Sequence, residues 1–257
     1  MLVLLSCAKT MSAVSKVKVP LTTSPRFQKE AAEIALQMSQ FSVDELERLL
    51  RVNAKIAVEN YKRYQAFHAE TTPELPALLA YTGIVFKRLN PKDFSAEDFG
   101  YAQEHLRLTS FCYGLLRPLD VIRAYRLEGD VVLPELGNQI LFSYWRSRLT
   151  DTFIEDIRSA GGILCNLASD EMKSLFDWKR VESEVRVVTP EFHVWKNGKL
   201  ATIVVYTKMS RGEMTRFILK NKIGNPEELK GFSWEGFEFD ESLSDERKLV
   251  FINGMGE

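Results

Sequence analysis

The chain opens on an unbroken apolar run, Leu2 to Leu5, which predicts a β-strand covered on both faces, because a half-exposed strand would alternate. A helical spacing follows over residues 25–39, with Phe27, Ala31, Ile34, Ala35 and Met38 on one face. Ser42, with Glu45 three residues on, starts a second helix through VDELERLL. A break at Arg51-Val52-Asn53 leads into a third, AKIAVENYKRYQAF. Residues 77–89 read as a strand pair turning near Gly83. Ser95 and Asp98 form a second capping box, and the spacing predicts a helix from there to the stop at Arg117-Pro118.

A long helix is expected over 138–159, closed by Gly161-Gly162, and GILCNLAS reads as a second buried strand. RVVTPEFHVWKNGKLATIVVYTK reads as a hairpin, since Asn197-Gly198 suits a type I′ turn. A helix over 211–222 and short aromatic-rich strands complete the chain. The fold class is therefore mixed α/β, a mixed sheet flanked by helices. With no repeat, low-complexity tract or Gly/Ser linker in 257 residues, a single domain over 1–257 is expected.

Composition narrows this little. At 45% apolar and 27% charged residues, the chain is an ordinary globular sequence. No apolar run approaches the ~20 residues of a membrane span. LVLLSC resembles a lipoprotein cleavage box, but it lacks a basic n-region and is too short. Cys7, Cys112 and Cys165 fit no disulfide framework, which suits a reducing cytoplasm, and no His or Cys has metal-ligand spacing. Neither metal nor cofactor is expected.

Charge changes the picture more. The net charge of −1 conceals segregated blocks. Residues 1–29 hold Lys9, Lys16, Lys18, Arg26 and Lys29 without an acid. Residues 196–222 hold seven cations against Glu213 alone, and 226–247 hold eight acids against two cations. Blocks of one sign create a field that favours an anionic partner.

Five segments carry candidate chemistry. In SCAKT, Ser6 follows a buried strand, and Lys9 and Thr10 could hold a phosphate where open sheets place their ligands. NLASDEM crowds Asn166, Ser169, Asp170 and Glu171 after the other buried strand; if the two strands are neighbours, Asn166 and Ser169 flank Ser6 and Lys9. In RPLD, Asp120 is placed to orient Arg117, and YRLE sets Arg126 and Glu128 on one side of an extended segment. KMSRGEMTRF places Lys208 at a strand end and Arg211 and Arg216 around a helix start, an arrangement that favours anions. The helix break, at about 42–66, resembles a helix-hairpin-helix in which Arg51 and Asn53 stand where glycines are usual.

LSCAKT, YGLLRPLD with YRLE, NLASDE and KMSRGEMTRF, followed by GFEFD and LVFIN, resemble in order and spacing the YaaA family of bacterial peroxide-stress proteins over nearly the whole chain. That resemblance implies a cytoplasmic, single-domain protein with a helix-hairpin-helix and a basic cleft for DNA. It also implies protection against hydrogen peroxide and a limit on iron-driven damage. Cys7, Gly129 and Met172 depart from the family's usual proline, methionine and tyrosine.

The leading expectation is a double-stranded DNA binder. Its contacts are Lys9, Thr10, Arg51, Asn53, Arg117, Arg126, Asn166, Ser169, Lys208, Arg211 and Arg216. The rival is an enzyme acting on a nucleotide or nucleic-acid base, or a site for another small anion, with Ser6, Lys9, Asp120 and Glu128 as candidate catalytic groups. Oligomeric state is not legible.

Overall fold

The computed structural model describes residues 1–196 and 198–254. It opens with β1 (Leu2–Leu5), whose four side chains are all buried, as the apolar run requires. A long loop leads to α1 (Gln28–Met38), α2 (Val43–Leu50) and α3 (Ala54–Ala66). Ser42 and Glu45 form the expected capping box at the head of α2.

The expected strand pair over 77–89 is instead a short β2 (Glu74–Pro76) and two short helices, α4 (Ala77–Ala80) and α5 (Ile84–Leu89). Ala77, Leu78, Leu79 and Ala80 are all buried, and a short apolar run has no periodicity to separate helix from strand. Gly83 caps α5 rather than turning a hairpin.

A second correction concerns α6 (Ala96–His105), which starts at the Ser95–Asp98 box but ends well short of Arg117. The rest of the expected helix is β3 (Leu106–Ser110) and β4 (Gly114–Leu116), paired antiparallel. All five residues of β3 are buried beside β1, so sheet pairing overrides a local spacing that also suited a helix.

Next come β5 (Val121–Arg123), which pairs with β2, and the two-residue strands β6 (Val132–Leu133) and β7 (Gln139–Ile140). Then α7 (Leu141–Ser159) stops where Gly161 and Gly162 take φ of +103° and +76°, angles that favour glycine. It is followed by β8 (Ile163–Asn166), α8 (Asp170–Lys173) and α9 (Trp178–Glu184).

The expected hairpin is present as β9 (Arg186–Lys196) and β10 (Lys199–Ala201). Of its turn, Gly198 has φ +70°, and Asn197 lies outside the described residues. The returning arm is shorter than expected. A helix, α10 (Val204–Asn221), begins where the β-branched residues had suggested strand. Its buried face of Ser210, Gly212, Met214, Thr215, Ile218 and Leu219 rewards helix more than local propensity favours strand. The chain closes with β11 (Phe237–Asp240) and β12 (Lys248–Asn253).

The main sheet runs β11-β12-β9-β8-β1-β3-β4, with β10 added to β9. Its five central strands, β12, β9, β8, β1 and β3, are mutually parallel, and the two edge strands are antiparallel. Helices around this sheet bury Trp145, Tyr64, Phe99, Phe153 and Phe176. The class is mixed α/β, as expected. Parallel strands put their carboxyl ends on one side of the sheet, so the loops after β1, β3 and β8 meet there.

A cation-lined cavity at the carboxyl ends of the central strands

Because β1 and β8 are neighbours, the loops that follow them touch. The Ser169 backbone N–H donates to Ser6 Oγ at 2.9 Å, and the two hydroxyls lie 3.3 Å apart. Above this junction is a cavity of about 320 Å³. Its polar lining includes Lys9, Thr10, Arg126, Glu171, Lys208 and Arg211, and its apolar lining includes Val85 and Phe86. Ser6 and Ser169 line it too.

Two of these cations flank one buried acid. Glu128, only 3% exposed, accepts from Lys9 Nζ at 2.7 Å, and Arg126 stands 3.7 Å from its other oxygen. The 3.7 Å contact is attraction without a hydrogen bond, so Arg126 Nε and Glu128 Oε1 are both buried without a hydrogen-bond partner. Arg211 Nε and Ser210 Oγ are the other two such atoms among the described residues. Unmatched buried polar groups mark places where a partner fits.

Arg211 is the most exceptional. Among the described residues no carboxylate lies within 4.0 Å of it. Burial pushes its guanidinium pKa down, and the more distant Asp170 offsets this only in part. Four cations (Lys9, Arg126, Lys208 and Arg211) thus face two carboxylates (Glu128 and Glu171), an excess of two positive charges.

Beneath the cavity a neutral hydroxyl chain joins Tyr81 to Tyr125 at 2.8 Å and Tyr125 to Ser110 at 2.7 Å. Burial raises both phenol pKa values well above the ordinary range. Cys7 also lines the cavity, but burial pushes its thiol up to about 12, so it is not an activated thiolate.

Other sequence-selected residues are engaged elsewhere. Asn166 is buried and turns its Oδ1 onto the Ala168 N–H at 3.2 Å. Arg117 does not reach this cavity: its Nε and Nη2 donate to Asp120 Oδ1, and it follows a strand, not a helix. Asp120, wholly buried, also accepts from Thr23 and from the Arg117 backbone, which pins a loop away from this cavity. Arg51 ends α2 at φ +51° and forms a two-pronged pair with Asp130 at 2.6 and 2.9 Å. Asn53 caps α3 by accepting from the Ile56 N–H.

The anion-favouring helix start around KMSRGEMTRF is also corrected, because these residues lie inside α10. Arg216 pairs with Asp93 through both outer nitrogens, and Lys220 pairs with Asp98 at 2.8 Å. Gly212 allows a close approach, but to α5: an added Cβ would stand 2.3 Å from the Val85 carbonyl oxygen.

A second, more open cavity of about 960 Å³ adjoins the first, and Phe86 lines both. Lys16, Lys18, Lys87 and Lys92 line it, and no acid does. None of the four forms an ion pair among the described residues. The acid-free stretch 1–29 signalled two of these lysines; Lys87 and Lys92 join them only through folding.

Fold and site define a mixed α/β protein with a cation-lined cavity at the carboxyl ends of a parallel sheet core. The sequence matches the family described as Peroxide stress protein YaaA over residues 1–243, and the chain belongs to that family. It is 99% identical to a UPF0246 protein of Bacteroides thetaiotaomicron over all of both chains. A UPF0246 protein of Parabacteroides distasonis is 56% identical, covering 98% of this chain and 99% of its own. One from the more distant Crocosphaera subtropica is 38% identical over 98% of this chain and 100% of its own. The family supports a role in peroxide stress. No helix among the described residues is long and apolar enough to cross a membrane.

Proposed function

We propose that the protein acts in peroxide stress by binding double-stranded DNA across the two adjoining cavities, and that binding limits iron-driven damage to that DNA. The observation that carries this reading is the set of six cations without a carboxylate partner, Lys16, Lys18, Lys87, Lys92, Lys208 and Arg211, around cavities that meet at Phe86. Phosphates supply the missing counter-charge without regard to sequence. Lysines that neutralise phosphates release the cations condensed there. Ferrous iron held on DNA as a counterion is displaced with the rest, so hydroxyl radical forms farther from the sugar. Arg51, Arg117 and Arg216 already have carboxylate partners and stand outside this set.

The test is duplex affinity at several salt concentrations. The expected log–log slope is steep, about −0.9 for each phosphate neutralised, and each lysine-to-glutamine change lowers it by about one. A flat salt dependence refutes the proposal. Protection of plasmid DNA from ferrous iron and peroxide is expected to fall in parallel.

The rival reading, an enzyme or receptor for a nucleotide, has its own support in Glu128, a buried carboxylate with one unmatched oxygen beside Lys9. Glu128→Gln and Lys9→Ala separate the two. Loss of peroxide protection with duplex affinity unchanged favours the small-ligand site.

A further inference from the structure

The β9–β10 hairpin ends on the same side of the sheet as the cavities, because β9 is parallel to β8 and β1. Its pairing with β8 covers only Arg186 to Val188, and its pairing with β12 ends at Val194. Eight residues of β9, Thr189 to Lys196, therefore run on past β8, roughly 26 Å at strand rise. Trp195 and Lys196 extend past the last β12 pair and, among the described residues, pair with β10.

This overhanging tip carries one repulsive pair and one exposed apolar pair. Lys196 lies directly opposite Lys199, and like charges so placed repel. Trp195 lies directly opposite Leu200 on the other face of the ribbon, and these large apolar side chains are 47% and 37% exposed. Neither lysine has an acidic partner among the described residues. A ribbon with one cationic face and one aromatic face matches a partner that offers phosphate on one side and a flat apolar ring on the other. From the hairpin the chain passes directly into α10, where Val204, Lys208 and Arg211 (i, i+4, i+7) share a face that leads to the first cavity.

We propose that the hairpin is a wedge for interrupted DNA. Trp195 stacks on a base face exposed at the edge of a gap, while Lys196 and Lys199 hold a backbone phosphate of the strand that passes the other face. Intact duplex keeps its base faces stacked inside, so this contact distinguishes gapped from intact DNA. The inference rests on the DNA reading above and adds a preference to it.

The experiment compares the affinity of the full chain for an intact duplex and for the same duplex with a short gap edged by 2-aminopurine. The wild type is expected to bind the gapped form about tenfold more tightly, within the range of one base stacked on an aromatic ring, and to quench the 2-aminopurine. Trp195→Ala removes the preference and the quenching while leaving intact-duplex affinity unchanged, and Trp195→Phe retains most of both. The double change Lys196→Gln, Lys199→Gln lowers the salt slope on gapped DNA by about one. Equal wild-type affinity for the two DNAs, or a preference that survives Trp195→Ala, overturns the wedge and leaves duplex binding standing. Binding to neither DNA overturns both.

Discussion

Cys7 and Met172 are joined through one side chain: the Cys7 backbone N–H donates to Thr109 Oγ1 at 3.2 Å, and the Thr109 hydroxyl donates to Met172 Sδ at 3.1 Å. By the resemblance noted above, these are positions where proline and tyrosine are usual. Proline has no N–H to give, whereas a tyrosine hydroxyl is a donor, so the two departures are chemically reciprocal. Cys7→Pro alone is expected to cost about 1 kcal/mol through the orphaned Thr109 oxygen. Combined with Met172→Tyr, the loss falls short of the sum by about 0.5–1.5 kcal/mol. A double-mutant cycle in urea measures this, and strict additivity refutes the coupling.

The cysteines are predicted to be slow thiols. Burial pushes Cys7 and Cys165 up to about 12 and Cys112 higher still. A chromogenic disulfide reagent at pH 8 is expected to react slowly with the native protein and rapidly with all three thiols in denaturant. Fast reaction of Cys7 in the native state would restore it as a candidate peroxide sensor.

Stability is predicted to fall in acid through Asp156. Burial pushes this carboxyl up, but hydrogen bonds from Arg107 at 2.6 Å and from Arg26 at 2.7 and 3.0 Å outweigh burial and hold it below its ordinary value. A depressed folded-state pKa gives stability that is present above the unfolded value, about 3.9, and lost as pH falls through the folded one. Asp156→Asn is expected to cost roughly 3 kcal/mol at neutral pH, since it strands Arg107, and to flatten the acid limb of stability against pH. An unchanged acid limb would remove Asp156 from this role.

Gly212→Ala is predicted to destabilise by about 1–3 kcal/mol, because the added Cβ meets the Val85 carbonyl at 2.3 Å and Arg88 Cβ at 2.8 Å. Val85 lines the cavity and Arg211 precedes Gly212, so duplex affinity is expected to drop as well. Gly100→Ala, inside α6 where an added Cβ meets nothing within 4 Å, serves as the contrast in thermal unfolding and is expected to stabilise by about 0.5–1 kcal/mol.

The sequence by itself determined the elements whose signals are local. Leu2 to Leu5 had to be a doubly covered strand, Ser42 and Ser95 had to cap helices, and Gly161-Gly162 had to end one, because side-chain period and backbone freedom act within a few residues. The contacts of Lys9, Ser6 and Ser169 were partly legible too, since strand ends in parallel sheets converge. The pair of Arg117 with Asp120 was legible at a spacing of three residues. Tertiary structure alone decided which other arginines are free: Arg51 and Arg216 looked as available as Arg211 in the linear chain, yet each meets a carboxylate distant in sequence. It also decided the conversion of residues 106–116 to strand and of 204–210 to helix. There the free energy of pairing or burying a face against distant segments exceeded the small local propensities that a sequence displays.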